Sequence, residues 1–447
     1  MDAPRTLAGT GQEAPTDKAT LHRAIAASAI GNATEWFDYG IYAFGVTYIS
    51  AAIFPGNVDQ AIMFALATFA ISFLIRPLGG MFWGPLGDRI GRKSMLAFTI
   101  LLMSGATFCV GLVPDFSLIG YWAPALLIAL RMIQGFSTGG EYGGAATFMA
   151  EYAPDDRRGF YGSFLEVGTL AGFSLGASLM LGFSVWLGES AMQEWGWRLP
   201  FLLAGPMGVI GLYLRTKIKD TPIYREADTE EAHRPEREPG LKSLMARYMA
   251  PMLVVGGLVV ALNVVNYTIL SYMPTYLQRH IGLSADQALI VPIIGMICMI
   301  FVLPFAGALS DRIGRKALWR FSLIGLCVLV VPLYMLMATG LAGAILGFVV
   351  LGLLYAPQLA TISATFPALF PTHVRCAGFA IAYNVSTSLF GGTAPVIGSG
   401  LILMTGDTLM PAYYMIAACL VGLYALRFMP ETAGRSLHAV DALWEKR

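Results

Sequence analysis

Apolar residues occur along this chain in long runs. A helix that crosses a bilayer needs about 20 mostly apolar residues, and the sequence predicts twelve such runs. They lie near residues 24–50, 61–83, 95–113, 120–149, 160–186, 198–215, 249–277, 287–309, 318–338, 340–370, 376–403 and 410–428. No stretch alternates apolar and polar positions with period two, as the strands of a membrane β-barrel do. The pattern therefore predicts an all-α membrane protein with twelve transmembrane helices.

One long polar stretch divides these runs into two groups of six. We expect residues 216–247 to form a cytoplasmic linker between a six-helix bundle over 23–215 and a second one over 248–429. The tails, 1–22 and 430–447, are expected in the cytoplasm, because Lys and Arg concentrate on that side of the bilayer. With this orientation only Arg198 and Arg279 lie on the outer side, and Arg76 and Arg131 lie within runs.

The composition fits a membrane protein and disfavours other classes. Residues of the hydrophobic set make up 56% of the 447 residues and charged residues only 13%, about half the usual charged fraction of soluble proteins. A net charge of +1 argues against nucleic-acid binding. The 5 Cys stand singly in apolar runs, without metal-ligand spacing. No nucleotide loop or nucleophile motif is evident, so we expect no enzyme, cofactor or metal. The polar first residues lack a cleavable signal, which favours a multi-pass protein of the bacterial inner membrane.

The chain repeats itself at half its length. GPLGDRIGRK (84–93) returns as GALSDRIGRK (307–316), each after the second apolar run of its half. EYAPDDRRG (151–159) has a weaker echo in LFPTHVRCAG (369–378), and GLYLRTKIKDT (211–221) in GLYALRFMPET (422–432). Three echoes in one order indicate a duplicated six-helix unit. Internal repeats are typical of alternating-access transporters, whose substrate site lies between the repeats near the membrane midplane.

The two GDRIGRK loops resemble the signature of the major facilitator superfamily. Within it, GNATEWFDYGIYAF, FLIRPLGG, RMIQGFSTGGEYGGA and EWGWRLPF resemble the metabolite–proton symporter family, and NVVNYTILSYMPTYL, FPTHVR and ETAGRSL resemble its osmosensory proline/glycine-betaine symporters. The resemblance spans about residues 22–437. It implies two pseudo-symmetric six-helix bundles and proton-coupled uptake of a small metabolite by alternating access. Osmosensory members can carry a C-terminal coiled coil, and no heptads precede Arg447, so osmotic sensing is not carried over.

The resemblance also implies a cytoplasmic gate, made of salt bridges between helices that hold the inner side closed. The expected gate residues are Asp88, Arg89, Arg92, Glu151, Arg158 and Glu166 in the first half, and Asp311, Arg312, Arg315, Arg375 and Glu431 in the second. For Glu166 a proton relay is the alternative to a gate role. The alternative for the set is that its bases only fix the topology.

Five ionisable residues lie deep inside the predicted spans, where a charge costs about 2.5–3.5 kcal/mol. They are Glu35, Asp38, Arg131, Glu141 and Glu166, all in the first half. Asp38 and Arg131 both lie near mid-depth. A carboxylate beside an arginine stays ionised, and one moved into an apolar site takes a proton. We therefore predict that Asp38, Arg131 and Glu35 couple transport to protons. A static Asp38–Arg131 ion pair is the alternative.

Aromatic and neutral polar residues crowd the central spans. The predicted substrate contacts are Trp36, Phe37, Tyr39, Tyr42, Arg131, Glu141, Asn263, Asn266, Tyr267, Tyr355, Gln358, Tyr383 and Asn384. Aromatic rings attract quaternary ammonium groups, and an Arg or Asn binds a carboxylate. The set thus favours a zwitterion such as proline or glycine betaine, although ordinary packing also explains aromatic residues.

Two other functions remain open from the sequence. One is proton symport of a carboxylic acid such as citrate, 2-oxoglutarate or shikimate, which would call for more than one deep cation. The other is a membrane sensor or receptor that binds without transport. The expected partners are the substrate, H⁺ and the lipid bilayer, and a monomer suffices.

Overall fold

The computed structural model describes residues 18–90, 92–139, 141–217, 241–371 and 374–437, and all regular structure in these ranges is helical. The first six helical regions are α1 (Lys18–Phe44, continued by Val46–Ile53), α2 (Val58–Ile90), α3 (Arg92–Val110), α4 (Trp122–Thr138 and Glu141–Tyr152), α5 (Arg158–Leu187) and α6 (Leu199–Lys217). The next six are α7 (Leu241–Tyr267 with its continuation to Ile281), α8 (Ala285–Ile313), α9 (Arg315–Met337), α10 (Leu341–Ala360 and Ile362–Thr365), α11 (Arg375–Phe390 and Ala394–Thr405) and α12 (Met410–Phe428). The predicted tails lie largely outside the described residues, as does most of the linker.

These regions match the twelve apolar runs of the sequence. Within the described ranges, 8 helical stretches are long and apolar enough to cross a bilayer. Large apolar side chains cover their outer faces. Phe301 and Phe305 on α8, for example, are 69% and 75% exposed. Such a surface is stable only in contact with lipid, as expected for a multi-pass membrane protein.

The two groups of six helices pack in the same way. In the first group α1 packs on α5, α2 and α3 pack on α4, and α3 packs on α6; in the second, α7 packs on α11, α8 and α9 on α10, and α9 on α12. The groups meet through α5 against α8 and through α2 against α11. Each of these contacts is the symmetry counterpart of the other, so the duplication in the sequence is also a duplication in space.

A glycine seam brings α1 and α5 into backbone contact. A methyl group placed at Gly168 would lie 2.2 Å from the carbonyl oxygen of Ala29, and one at Gly172 would lie 2.3 Å from that of Ala33. Small residues at four-residue spacing allow this close approach in lipid. The seam fixes the depth of α1, which carries Glu35 and Asp38.

Several helices near the middle of the molecule are interrupted. α1 breaks at Gly45, α10 at Thr361 and α11 after Phe390. α7 continues as π-helix over Thr268–Tyr272 and Leu277–Ile281, on either side of a short turn that contains Pro274. Proline has no N–H to donate, and π-helical turns often occur at functional sites. The interrupted helices are also those that supply most of the central cavity described below.

The glycine seam makes a testable prediction. Gly172→Ala should lower the melting temperature of the purified protein by several degrees, because overpacking costs about 1–3 kcal/mol. The matched control is Gly182→Ala on the same helix, where an added methyl group meets nothing within 4 Å. Fluorescence-monitored unfolding in detergent measures both. An equal effect of the two variants would show that the seam does not hold α1 against α5.

Candidate functional site

A closed cavity lies where α1, α4, α5, α7, α10 and α11 meet. It is lined by Trp36, Tyr142, Glu166, Thr169, Leu262, Asn263, Asn266, Tyr267, Tyr355, Leu359, Ile362 and Tyr383. The free space at its centre is about 10 Å³, which holds at most one water molecule. Side chains from both halves therefore close on one another at the centre of the molecule.

One wall of the cavity joins the two halves through aromatic residues. The hydroxyl of Tyr142 donates a hydrogen bond of 2.5 Å to Glu166 Oε1. The ring of Tyr142 stacks on that of Tyr383 from α11, with 4.7 Å between centroids. On the opposite wall the Tyr355 hydroxyl donates to Asn266 Oδ1 at 3.0 Å. The wall thus combines a buried carboxylate with ring faces from both halves.

A second set of bonds orients Trp36. The Asn32 amide donates to Leu165 O and to Thr169 Oγ1, at 2.8 and 2.6 Å, and Trp36 Nε1 donates to Asn32 Oδ1 at 3.1 Å. The ring of Trp36 lies 6.2 Å from that of Tyr267. These bonds between α1 and α5 hold the indole face toward the cavity.

The cavity contains only part of the predicted substrate set. Trp36, Asn263, Asn266, Tyr267, Tyr355 and Tyr383 line it, whereas Phe37, Tyr39, Tyr42, Arg131, Gln358 and Asn384 do not. Tyr42 donates to Ala65 O, Gln358 donates to Ser322 Oγ, and Asn384 donates to Gly139 O. These side chains pack against neighbouring helices. The spacing of residues along one helix does not show whether a side chain faces another helix or the cavity. The side chain of Glu141 lies outside the described residues.

Asp38 and Arg131 form no direct ion pair, so the static pair given as the alternative to proton coupling is not present. They are linked through neutral groups. The Thr107 hydroxyl lies 2.9 Å from both Asp38 Oδ2 and Met103 O, and it accepts from Gln134 Nε2 at 2.6 Å. Gln134 Oε1 in turn accepts from Arg131 at 2.8 Å. α3 and α4 thus supply two polar side chains that a search for charged pairs does not find.

Arg131 is held away from the cavity by its other contacts. Its guanidinium donates to Ser72 Oγ at 3.1 Å and lies 4.2 Å from the centre of the Tyr42 ring. Cation–π contact of this kind stabilises a desolvated arginine. Arg131 therefore acts within the first half rather than on the cavity surface.

Arg76 on α2 is a second deep arginine. It lies within a predicted span but is not among the predicted site residues. It is 3% exposed, and its Nη2 lies 3.6 Å from Glu35 Oε1. Its guanidinium faces the rings of Phe73, Tyr39 and Trp36 at 4.4, 4.7 and 5.9 Å. Glu35 is therefore paired with Arg76, on the side of Trp36. An arginine inside an apolar run is costly, and this cost alone marks Arg76 in the sequence as a candidate functional residue.

Partly buried polar contacts join the halves at one end of the bundle, here called the charged end. Asp311 of α8 accepts the backbone N–H groups of Gly159 and Phe160, at 2.8 and 2.9 Å, at the start of α5. Arg375 of α11 donates to Glu151 of α4 at 2.7 Å. Asp311 thus caps a helix of the other half, where a carboxylate is favoured by the unpaired N–H groups and the helix dipole.

Other predicted gate residues stabilise the charged end within and across the halves. Arg158 pairs with Asp155 and donates to Arg435 O, while Arg315 donates to Thr432 Oγ1 and to Asp311.

Glu431, which lies after α12, accepts N–H groups at the start of α9. Burial alone would raise the pKa of Glu431, but hydrogen bonds from the backbone of Ala433, Arg315, Lys316 and Thr432 hold it below its usual range.

Two placements differ from the predicted gate. Glu166 lies at the cavity and not at the charged end, because α5 carries it inward by two turns. Arg312 is exposed. The side chains of Asp88, Arg89 and Arg92 lie outside the described residues.

The opposite end of the bundle is closed by weaker contacts. Arg279 pairs with Asp59 at 2.5 Å, with exposed fractions of 36% and 54%, and Ser184 Oγ donates to Asp286 at 2.6 Å. Exposed ion pairs contribute little to stability. Among the described residues the halves thus contact each other at both ends, and the contacts at the charged end are the more buried.

This arrangement, a central cavity between two duplicated helix bundles, is that of a membrane transporter. A family model described as "Major Facilitator Superfamily" matches residues 29–393. The chain belongs to the major facilitator superfamily. The fold agrees, since the structure of the proton:xylose symporter XylE aligns with a TM-score of 0.74 at 19% identity, over 96% of this chain and 100% of that one.

Curated relatives are similar over almost the whole chain. The glycine betaine/proline/ectoine/pipecolic acid transporter OusA of Dickeya dadantii is 44% identical, over 94% of this chain and 85% of its own. The proline/betaine transporter of Escherichia coli is 42% identical, over 94% and 86%. The ectoine/proline transporter ProP of Corynebacterium glutamicum is 41% identical, over 93% and 85%. These names confirm the predicted resemblance and agree with the expectation of a transporter rather than an enzyme.

The helix cap across the halves is testable. The segment Ile362–Thr365 of α10 packs on the first turns of α5, where Gly162 approaches Ser363. Asp311→Ala should therefore speed amide hydrogen exchange at Gly159, Phe160 and Ile362–Thr365 by about 2- to 30-fold, because a lost cap costs about 0.5–2 kcal/mol. The control is Asp156→Ala, since Asp156 is 77% exposed and pairs with the exposed Arg157. Hydrogen exchange followed by mass spectrometry measures both. Unchanged exchange at Ile362–Thr365 in Asp311→Ala would contradict a role for the cap in closure.

Proposed function

We propose that this protein is a proton-coupled symporter that takes up a zwitterionic compatible solute, such as proline or glycine betaine, by alternating access. The observation that carries the proposal is the central cavity, in which a buried carboxylate and five aromatic side chains from both halves close on one another. Quaternary or secondary ammonium groups bind such surroundings through cation–π contact and charge. The names of the curated relatives support the same substrate class.

The linked groups around Asp38 are suited to carry the coupling proton. The Thr107 hydroxyl has one hydrogen and two acceptors in range, Asp38 Oδ2 and Met103 O. When Asp38 is ionised, Thr107 donates to it. When Asp38 is protonated, it donates to Thr107 and that hydroxyl turns to Met103. In both states the Thr107 hydroxyl has an acceptor for its hydrogen, so Asp38 gains or loses a proton without leaving that buried hydroxyl unpaired.

Arg131 gives this exchange its conformational sensitivity. Its charge acts on Asp38 through Gln134 and Thr107, and these side chains belong to three different helices, α4, α3 and α1. A small shift of α4 against α1 therefore changes how strongly the ionised form of Asp38 is favoured. In this account Glu35, paired with Arg76, is the second proton-carrying candidate.

The occluded structure represents the middle of the transport cycle. The charged end is proposed to be cytoplasmic, with both termini on that side in the inner membrane, because basic residues concentrate there. The bundles 23–215 and 248–429 would rock about the cavity, joined by the linker 216–247. The residues at the charged end, Glu151, Arg158, Asp311, Arg315, Arg375 and Glu431, would form the cytoplasmic gate, and Asp88, Arg89 and Arg92 would complete it.

Asp38→Asn tests the coupling mechanism. In proteoliposomes with an imposed inward proton gradient, the unmodified protein should accumulate glycine betaine or proline. Asp38→Asn should lose uphill accumulation but retain exchange of internal for external substrate, because an amide keeps the hydrogen bond but takes no proton. Uptake of labelled substrate measures both reactions.

The same assay includes citrate, 2-oxoglutarate and shikimate. Gradient-driven uptake of one of these acids in place of a zwitterion would contradict the proposed substrate class. Full accumulation by Asp38→Asn would instead leave the substrate class intact and make Glu35 the leading coupling residue. Protein that binds without accumulating any of these solutes would be a sensor and not a transporter.

A further inference from the structure

Two charged side chains of opposite sign, Glu166 and Arg76, lie at or just behind the walls of the cavity. Glu166 lines the cavity directly and is 2% exposed. Arg76 stands behind the wall formed by Trp36 and Tyr267, with its guanidinium carbon 5.9 Å from the centre of the Trp36 ring. Its charge also interacts with Tyr267 and Tyr383, two further lining residues. The cavity thus has a carboxylate on α5 at one wall and, behind another wall, the guanidinium of Arg76 on α2, which is paired with Glu35 on α1.

The hydrogen-bonding state of Arg76 indicates that this positive side is made for a ligand. Nε and Nη2 of Arg76 are buried and have no hydrogen-bond partner among the described residues. Leaving such donors unsatisfied is costly, and native proteins rarely do so without a functional reason. The rings around it and Glu35, whose Oε1 lies 3.6 Å from Nη2, stabilise the charge, but at this distance Glu35 accepts no hydrogen bond from either nitrogen. Arg131, by contrast, donates to Ser72 and Gln134.

We propose that the substrate zwitterion lies across the cavity with its carboxylate on Arg76 and its ammonium group at Glu166, enclosed by Trp36, Tyr142 and Tyr383. This inference rests on the proposed function and specifies its binding site. Arg76 and Glu166 both belong to the first half, and Tyr383 belongs to the second. The first half therefore supplies both charged side chains that bind the substrate, and the second half covers the substrate with the ring of Tyr383.

The stacked pair of Tyr142 and Tyr383 explains how binding leads to closure. With 4.7 Å between their ring centroids, these rings leave no room for a trimethylammonium group in the occluded state, so the halves must separate for entry. An ammonium group beside Glu166 then offers its charge to the ring of Tyr383 as the second half returns.

The test uses three ligands of nearly the same size and direct binding to the purified protein. Glycine betaine carries both charges, 3,3-dimethylbutyrate replaces its nitrogen by carbon, and choline lacks the carboxylate. Titration calorimetry gives the affinity for each. The unmodified protein should bind glycine betaine at least about tenfold more tightly than either analogue, since each carries only one of the two charge-assisted interactions.

Two variants separate the two sides of the cavity. Glu166→Gln keeps an acceptor for Tyr142 and should reduce the preference for glycine betaine over 3,3-dimethylbutyrate by about tenfold, with the preference over choline retained. Arg76→Gln should reduce the preference over choline by a similar factor, with the preference over 3,3-dimethylbutyrate retained. Arg76→Lys keeps the charge and should restore part of the lost preference. Arg320→Gln, at an exposed position of α9, is the control and should change neither ratio.

The outcomes distinguish this inference from the proposed function. If the unmodified protein binds and transports glycine betaine but both ratios survive in folded Glu166→Gln and Arg76→Gln, the orientation proposed here is wrong. The orientation is also wrong if Glu166→Gln reduces the preference over choline and Arg76→Gln reduces the preference over 3,3-dimethylbutyrate. If the unmodified protein binds neither glycine betaine nor proline, the proposed function itself fails.

Discussion

Buried charges in the first half are the constraint on which the rest of the structure depends. Glu35, Asp38, Arg76 and Arg131 all lie inside membrane-spanning helices and are almost fully buried. A charge in such surroundings is tolerated only if it is paired, hydrogen-bonded or placed against aromatic rings. The helices of the first half meet these demands with Thr107, Gln134 and Ser72 and with the rings of Tyr39, Tyr42 and Phe73. The polar side chains hold α1, α2, α3 and α4 in register.

Because of the same constraint, the two halves supply different kinds of residues to the cavity. The second half carries aromatic and amide side chains at the cavity, such as Tyr355 with Asn266, and its charges lie at the bundle ends. It closes over the site without changing its charge. The close packing of α1 on α5 at Gly172 keeps Glu35 and Asp38 of α1 at a fixed distance from Glu166 on α5. In the proposed mechanism, coupling between proton and substrate follows from movements of whole helices.

Much of the fold was predictable from the sequence, because the apolar runs are regular and the motif of the first half recurs in the second. Twelve apolar runs and the recurrence of GDRIGRK predict the duplicated bundles. The six lining residues found correctly are aromatic or amide residues in the middle of their spans. Helix spacing tells which residues share a face but not which neighbour that face meets, so Tyr42 and Gln358 were assigned to the cavity when they pack between helices.

Contacts between distant helices were beyond reach for the same reason. The neutral link between Asp38 and Arg131 depends on Thr107 of α3, which nothing in its own segment distinguishes from other threonines. Glu166 was placed by depth alone near the gate, whereas its position relative to Tyr142 and Tyr383 depends on how α5 is rotated. Arg76 was visible as a charge within a span, and its unsatisfied N–H groups appear only in three dimensions.

The central claim is that a zwitterion crosses the membrane together with a proton, and charge movement tests it most directly. A zwitterion carries no net charge, so any current that accompanies it reports the coupling ion. In sodium-free proteoliposomes adsorbed on a solid-supported membrane, a jump in external glycine betaine without a pH gradient should produce an inward positive current and acidify the lumen. Uptake of glycine betaine with neither current nor acidification would contradict the account.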